Sequence, residues 1–107
     1  MLFRSDHVNA GILRFTLRLP ESGSLKDKRQ VVRSLSQRIR NKFQVSVAEV
    51  GDNDLWQIAT IGVACVTNTH RHCEEMLDEI VAFVRESRLD AEVVDVESDV
   101  IGMDDRE

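Results

Sequence analysis

The hydrophobic pattern of this chain switches repeatedly between a period of two and a period near 3.6, and that switching constrains the fold more than composition does. Over residues 8–19, VNAGILRFTLRL, the side chains of Leu13, Phe15, Leu17 and Leu19 take one face and those of Arg14, Thr16 and Arg18 the other. That is a strand with one buried side. Pro20, the only proline, ends it, and residues 21–24 supply a loop. Ser24 then stands as an N-cap with Asp27 three residues on, a variant of the capping box. Leu25, Val32, Leu35 and Ile39 recur at helical spacing with Val31 beside them, so 25–42 reads as an amphipathic helix.

Alternation returns in FQVSVAEV (43–50), where Phe43, Val45 and Val47 share a face. Gly51-Asp52-Asn53-Asp54 reads as a hairpin turn into a long apolar strand over 56–67. Asn68 or Thr69 caps a second helix, 69–87, with Cys73, Met76, Leu77, Ile80 and Val84 as its core stripe. Residues 91–101 form the last strand, and 102–107 are expected to fray. The order β-α-β-β-α-β specifies an α+β, ferredoxin-like sandwich, a four-stranded antiparallel sheet with two helices on one face and strands one and three central. A chain of 107 residues supports one such domain, 1–107, with its core in about 8–101.

The stretch VGDNDLWQ (50–57) invites a chemical reading, because Asp52, Asn53 and Asp54 crowd beside Gly51. A calcium loop would need a glycine at its sixth position and a glutamate at its twelfth, where Val63 stands. An acid–base pair would need a His, Lys or pocket nearby. A turn is the better account, with Trp56 expected to cover one end of the core. His70, His72 and Cys73 offer metal-ligating side chains, but His70 and His72 diverge on a helix and Cys73 falls on the apolar stripe. No nucleophile, P-loop or dinucleotide motif occurs, and the phosphate-cradling glycine loop of acylphosphatases is missing after the first strand. These readings predict no catalytic residue, no cofactor and no metal.

Charge is the more informative property. The formal net charge is −5, yet residues 1–67 carry +4 and residues 68–107 carry −9, and 25–42 alone hold seven cations and one anion. Lys26, Lys28 and Arg29 occupy the first turn or so of the helix, where the macrodipole disfavours them. A bound anion near the helix N-terminus would explain them. Lys26, Arg29, Arg33 and Arg40 share one face, a ridge able to track a phosphodiester backbone. The bland alternative is that these cations are solvated or pair with the acidic second helix, whose outer face holds Glu75, Asp78, Glu79 and Glu86. The uncovered sheet face offers no aromatic platform for RNA bases; Arg14 and Arg18 are expected to pair with Asp95 or Glu97. Strand three is apolar on both faces, so a face-to-face homodimer would cover it. No apolar run nears the roughly 20 residues of a membrane span, and the N-terminus has no export signal. A cytoplasmic protein with reduced Cys65 and Cys73 is expected.

The motifs GILRFTLRLP (11–20), SLKDKR (24–29), FQVSVAEV (43–50) and DLWQ (54–57), followed by IGVACVTN (61–68), resemble the YlxP-like family of small bacterial proteins of unknown function. The resemblance covers about 8–97 and implies a ferredoxin-like fold. Family members are often encoded beside genes for translation initiation and ribosome maturation. No catalytic residues come with the resemblance. It marks Ser24, Lys26, Lys28 and Arg29, with Asp54, Trp56 and Gln57 in the hairpin, as positions of interest; Cys65 and Cys73 lie outside its pattern. The expectation is a non-enzymatic accessory of ribosome assembly or translation that binds rRNA phosphates through Ser24, Lys26, Lys28, Arg29, Arg33 and Arg40, without DNA specificity. Asp54, Trp56, Gln57, Arg14 and Arg18 form a second candidate surface. The alternatives are a homodimeric interaction module using the open sheet face and, third, binding of a small phosphorylated ligand at the start of helix one.

Overall fold

The computed structural model describes residues 7–51, 54–87 and 90–103. Six elements succeed one another in order: β1 (Asn9–Arg18), α1 (Leu25–Lys42), β2 (Ser46–Gly51), β3 (Ile58–Thr67), α2 (His70–Ser87) and β4 (Glu92–Gly102). The strands form one antiparallel sheet ordered β2-β3-β1-β4. Both helices pack on one face, giving the ferredoxin-like sandwich that the pattern demands.

The core is built from the period-two set of the strands and the helical stripes. Leu13, Phe15 and Leu17 of β1 and Ala59, Ile61, Val63 and Cys65 of β3 are buried against Val32, Leu35 and Ile39 of α1 and Cys73, Leu77, Ile80 and Val84 of α2. Ser24 Oγ accepts the Asp27 N–H at 3.1 Å, and Asp27 Oδ2 accepts the Gly23 N–H at 3.0 Å. This is the anticipated box, shifted by one residue on its return bond. Thr69 caps α2, its hydroxyl accepting the His72 N–H at 3.0 Å.

Three expectations need correction. The second strand starts at Ser46 rather than Phe43, because α1 runs to Lys42 and Phe43 is its C-cap, donating its N–H to Ile39 O. The Phe43 ring then packs edge-on against Phe83 of α2, centroids 5.8 Å apart. Trp56 does not plug the core; it is 53% exposed, because β3 begins two residues later and Leu19 already closes that end. The last strand reaches Gly102, which pairs with Asn9, and the Met103 N–H donates to Val8 O, so the C-terminal end is held two residues further than anticipated. Residues 52–53 and 104–107 lie outside the described residues, and with them part of the expected turn and tail.

Two bulges interrupt the pairing of the outer strands. In β2, Glu49 pairs with Ile61 but Gly51 with Thr60, leaving Val50 as the extra residue; in β4, Val94 is the extra residue opposite Thr16 and Leu17. Up to Glu49 the β2 register keeps Val47 and Glu49 on the helix-covered face, opposite inward-facing Val63 and Ile61.

Candidate nucleic-acid interface

Helix α1 distributes its cations three ways. Arg38 and Lys42 turn to α2: Arg38 Nη1 donates to Ser87 O at 2.9 Å, and Lys42 Nζ stands 5.4 Å from the Phe83 ring centroid. Lys28 turns inward. Lys26, Arg29, Arg33 and Arg40 share the third face, and Arg40 shows where it lies, its Nη2 donating to Val47 O of the edge strand β2 at 2.8 Å. The ridge therefore runs along the β2 side of α1, away from acidic α2. All four residues are exposed, and among the described residues Lys26, Arg29 and Arg33 make no hydrogen bond or ion pair. On α2, Glu75 pairs with Arg71 and Glu74 with His70 within the same helix. These contacts do not neutralise the ridge through α2.

Lys28 corrects the expected phosphate set. Its side chain is 1% exposed, and Nζ donates to Ile58 O at 3.1 Å. The same Nζ stands 3.1 Å from Glu49 Oε2, an ion pair whose angle is not that of a hydrogen bond, so charge attraction rather than an aimed proton holds that oxygen. A buried ammonium with these partners has no free face for RNA. The signal was present in the sequence: Lys28 continues the stripe of Leu25, Val32 and Leu35, and Glu49 continues the alternation of Val45 and Val47. Two residues of opposite charge at core positions on neighbouring elements predict a buried pair.

Ser24 likewise has a structural task, capping α1. At the α1 N-terminus the Ser24 hydroxyl takes the Asp27 N–H and the Asp27 carboxylate takes the Gly23 N–H, so a negative charge of the chain's own already sits there. The hollow beside it, about 300 Å3, is lined by Glu21, Asp27 and Asp90 with Leu19, Ser22, Gln30 and Val31. Three carboxylates repel a phosphate, which counts against the small phosphorylated ligand.

Gln57 ties the hairpin to the loop before α1. Its Nε2 donates to Pro20 O at 3.2 Å and Ser22 O at 3.3 Å, and its own carbonyl accepts the Leu19 N–H at 2.8 Å. The motifs that mark the resemblance, LP, SLKDKR, SVAEV and DLWQ, thus meet at one end of the sheet. Asp54 and Trp56 remain exposed there.

On the open sheet face Arg14 pairs with Glu97 and Arg18 with Glu92, the latter at 2.6 Å. All four side chains are more than half exposed, so these pairs contribute little stability. Arg14 thus meets the expected Glu97, whereas Arg18 pairs with Glu92 rather than with Asp95 or Glu97, because the register sets Glu92 across from Arg18 and Asp95 across from Thr16. Toward β2 the same face is apolar: Ile12, Val50 and Val66 are exposed around Ala48, Gly62 and Ala64.

Cys65 and Cys73 are buried with their Sγ atoms 3.5 Å apart. Burial, reinforced by the neighbouring Cys73, pushes the Cys65 thiol up to about 11. Cys73 points inward while His70 faces Glu74 at the surface, and among the described residues no three His, Cys, Asp or Glu side chains gather to hold a metal. No helix of the described residues is long and apolar enough to cross a membrane.

Comparison with known proteins agrees with the motif reading. Residues 10–98 match the family described as "Protein of unknown function (DUF503)". The chain is also similar to the "Uncharacterized protein YlxP" of Bacillus subtilis (strain 168), 39% identical over 64 residues that cover 60% of this chain and 70% of that protein. With its fold, its motif-bearing residues and this match over most of its length in agreement, the chain belongs to the DUF503 family of proteins of unknown function, the family of YlxP.

Proposed function

We propose that this protein is a non-enzymatic, cytoplasmic accessory of ribosome assembly or translation that holds RNA phosphates along α1. The observation that carries the reading is the ridge of Lys26, Arg29 and Arg33, exposed and without partners among the described residues on the side of α1 turned from α2. Arg40 extends it, with one guanidinium N–H spent on Val47 O and others available. Side chains this flexible contact phosphates rather than read bases, so affinity is weakly sequence-specific and falls steeply with salt as counterions are released. The genomic neighbourhood implied by the resemblance points the same way. Lys28 and Ser24 support the ridge from beneath and from its end without touching RNA.

Sedimentation with ribosomal subunits tests the reading. The protein should travel with a subunit at low salt and release as salt rises; no association at low salt, or association indifferent to salt, would remove it.

A second reading has its own observation, the apolar half of the open sheet face around Ile12, Val50 and Val66. A second copy laid face to face would cover it, with the Arg14–Glu97 and Arg18–Glu92 rows at the rim. Light scattering should then report a dimer that persists in high salt and that Ile12→Glu dissociates; a monomer at all concentrations would remove this reading.

A further inference from the structure

Trp56 is the only tryptophan of the chain, and it lies 53% exposed beside Leu55, itself 49% exposed. A large aromatic that the core does not use needs an explanation. The backbone beneath it is fixed rather than loose. Gln57 is anchored to the loop before α1 through both its carbonyl and its amide, and Lys28 Nζ holds the Ile58 carbonyl. An indole exposed on a pinned backbone loses little entropy when something stacks on it.

Asp54, Leu55, Trp56, Gln57 and Ile58 line an open hollow of about 470 Å3. The Asp54 carboxylate excludes a phosphate from this hollow, since an ionised carboxylate only accepts hydrogen bonds. It suits instead a flat aromatic ring that carries adjacent N–H donors. Among RNA bases, guanine presents two such donors side by side, N1–H and the N2 amine, on the edge that pairing would otherwise occupy. The basic ridge starts at this same end, because Gln57 is bonded to Ser22 O in the loop before α1 and Lys28 of α1 is bonded to Ile58 O. Phosphates flanking a base in the hollow would meet Lys26 and Arg29.

We propose that the hollow at Trp56 receives one unpaired guanine of single-stranded RNA, stacked on the indole with its donor edge on Asp54. The proposal rests on the RNA-binding reading of the ridge and adds to it the form of RNA selected, a strand with an unpaired base rather than a duplex.

The single tryptophan supplies its own probe. Short oligouridine strands carrying one central guanine, the same strands with adenine there, and the guanine strand annealed to its complement would be titrated into the intact protein at low salt. Indole emission and the anisotropy of labelled RNA would be read together. The guanine strand should quench Trp56 and bind about tenfold tighter than its duplex, with Trp56→Ala losing about tenfold in affinity and Trp56→Phe retaining most of it. Asp54→Asn should erase the preference for guanine over adenine while leaving adenine binding unchanged. Lys26→Glu should weaken every strand alike. RNA that binds with a salt-dependent affinity but neither quenches Trp56 nor responds to Trp56→Ala would overturn this inference and leave the ridge reading standing. Equal quenching by duplex would also overturn it, and so would emission that changes with protein concentration but not with RNA. Absence of all RNA binding would sink both.

Discussion

Lys28 shows how far a single residue's meaning depends on its position in the pattern. Counted as a charge it belongs to a basic helix; counted by spacing it belongs to the core, and its burial opposite Glu49 is the consequence. Removing one partner strands the other. Glu49→Ala should therefore destabilise the fold by about 3 kcal/mol in urea unfolding, whereas Lys28→Met combined with Glu49→Leu should come within about 1 kcal/mol of the parent. A small effect for Glu49→Ala would mean that the pair does not hold the sheet end. Gly11 makes a comparable case. A Cβ there would stand 2.7 Å from Cys73 Sγ and 2.9 Å from Cys65 Sγ, so Gly11→Ala should cost about 1–3 kcal/mol, and adding Cys73→Ala should restore part of it. Neither contact was legible in the sequence, because the glycine and the two cysteines are distant along the chain. The Cys65 thiol, raised from 9.0 to about 11, adds a pH effect whose sign is fixed. Its folded-state value lies above the unfolded one, so its contribution is fully present below pH 9 and is lost as pH rises toward 11. In a Cys73→Ala variant, thiolate absorbance should still appear above pH 9, since burial is the larger cause; a midpoint near 9 would show Cys65 to be open to solvent.

Among the elements, α1 is the best specified, since cap, stripe and end all lie within one local stretch. Ser24→Ala should lower stability by about 1 kcal/mol, while Ser24→Asp should be nearly neutral, as expected for a cap. RNA binding at fixed salt should not respond to Ser24→Ala if Ser24 only caps; loss of binding in a Ser24→Asn variant, which keeps a neutral cap, would return Ser24 to the phosphate set. Alternation was equally readable in β1, where Leu13 to Leu19 are buried as spaced. It failed at Phe43, where the alternation starts one cap too early: the Phe43 N–H closes α1 on Ile39 O and its ring packs on Phe83 of a helix distant in sequence. It failed again at Trp56, where aromatic character suggested a core position. The start of β3 at Ile58 and the burial of Leu19 at that end decide the point, and both follow from the β1–β3 register.

Across the molecule as one body, the sandwich converts a charge imbalance along the sequence into a geometric one. Cations from the first half stand on the β2 side of α1, and the acids of α2 and β4 lie elsewhere on the sandwich. The order of elements revealed that sandwich from pattern alone, and with it the Glu97 neighbour of Arg14, but not Glu92 as the partner of Arg18, which the bulge-shifted register decides. Which flank of α1 carries the free cations was not legible, because it depends on how the helix rotates when Lys28 is drawn inward. If this flank carries the RNA affinity, the dependence of binding on salt must report it. For a ribosomal RNA fragment titrated across a salt series, the logarithm of the association constant should fall with the logarithm of salt at a slope of about −3 to −4. Replacing Lys26, Arg29 and Arg33 by Ala should flatten that slope by about 1 for each cation, with unfolding unchanged to within about 0.5 kcal/mol. A slope that the triple replacement leaves untouched, in a protein that still folds, would contradict the assignment of RNA affinity to α1.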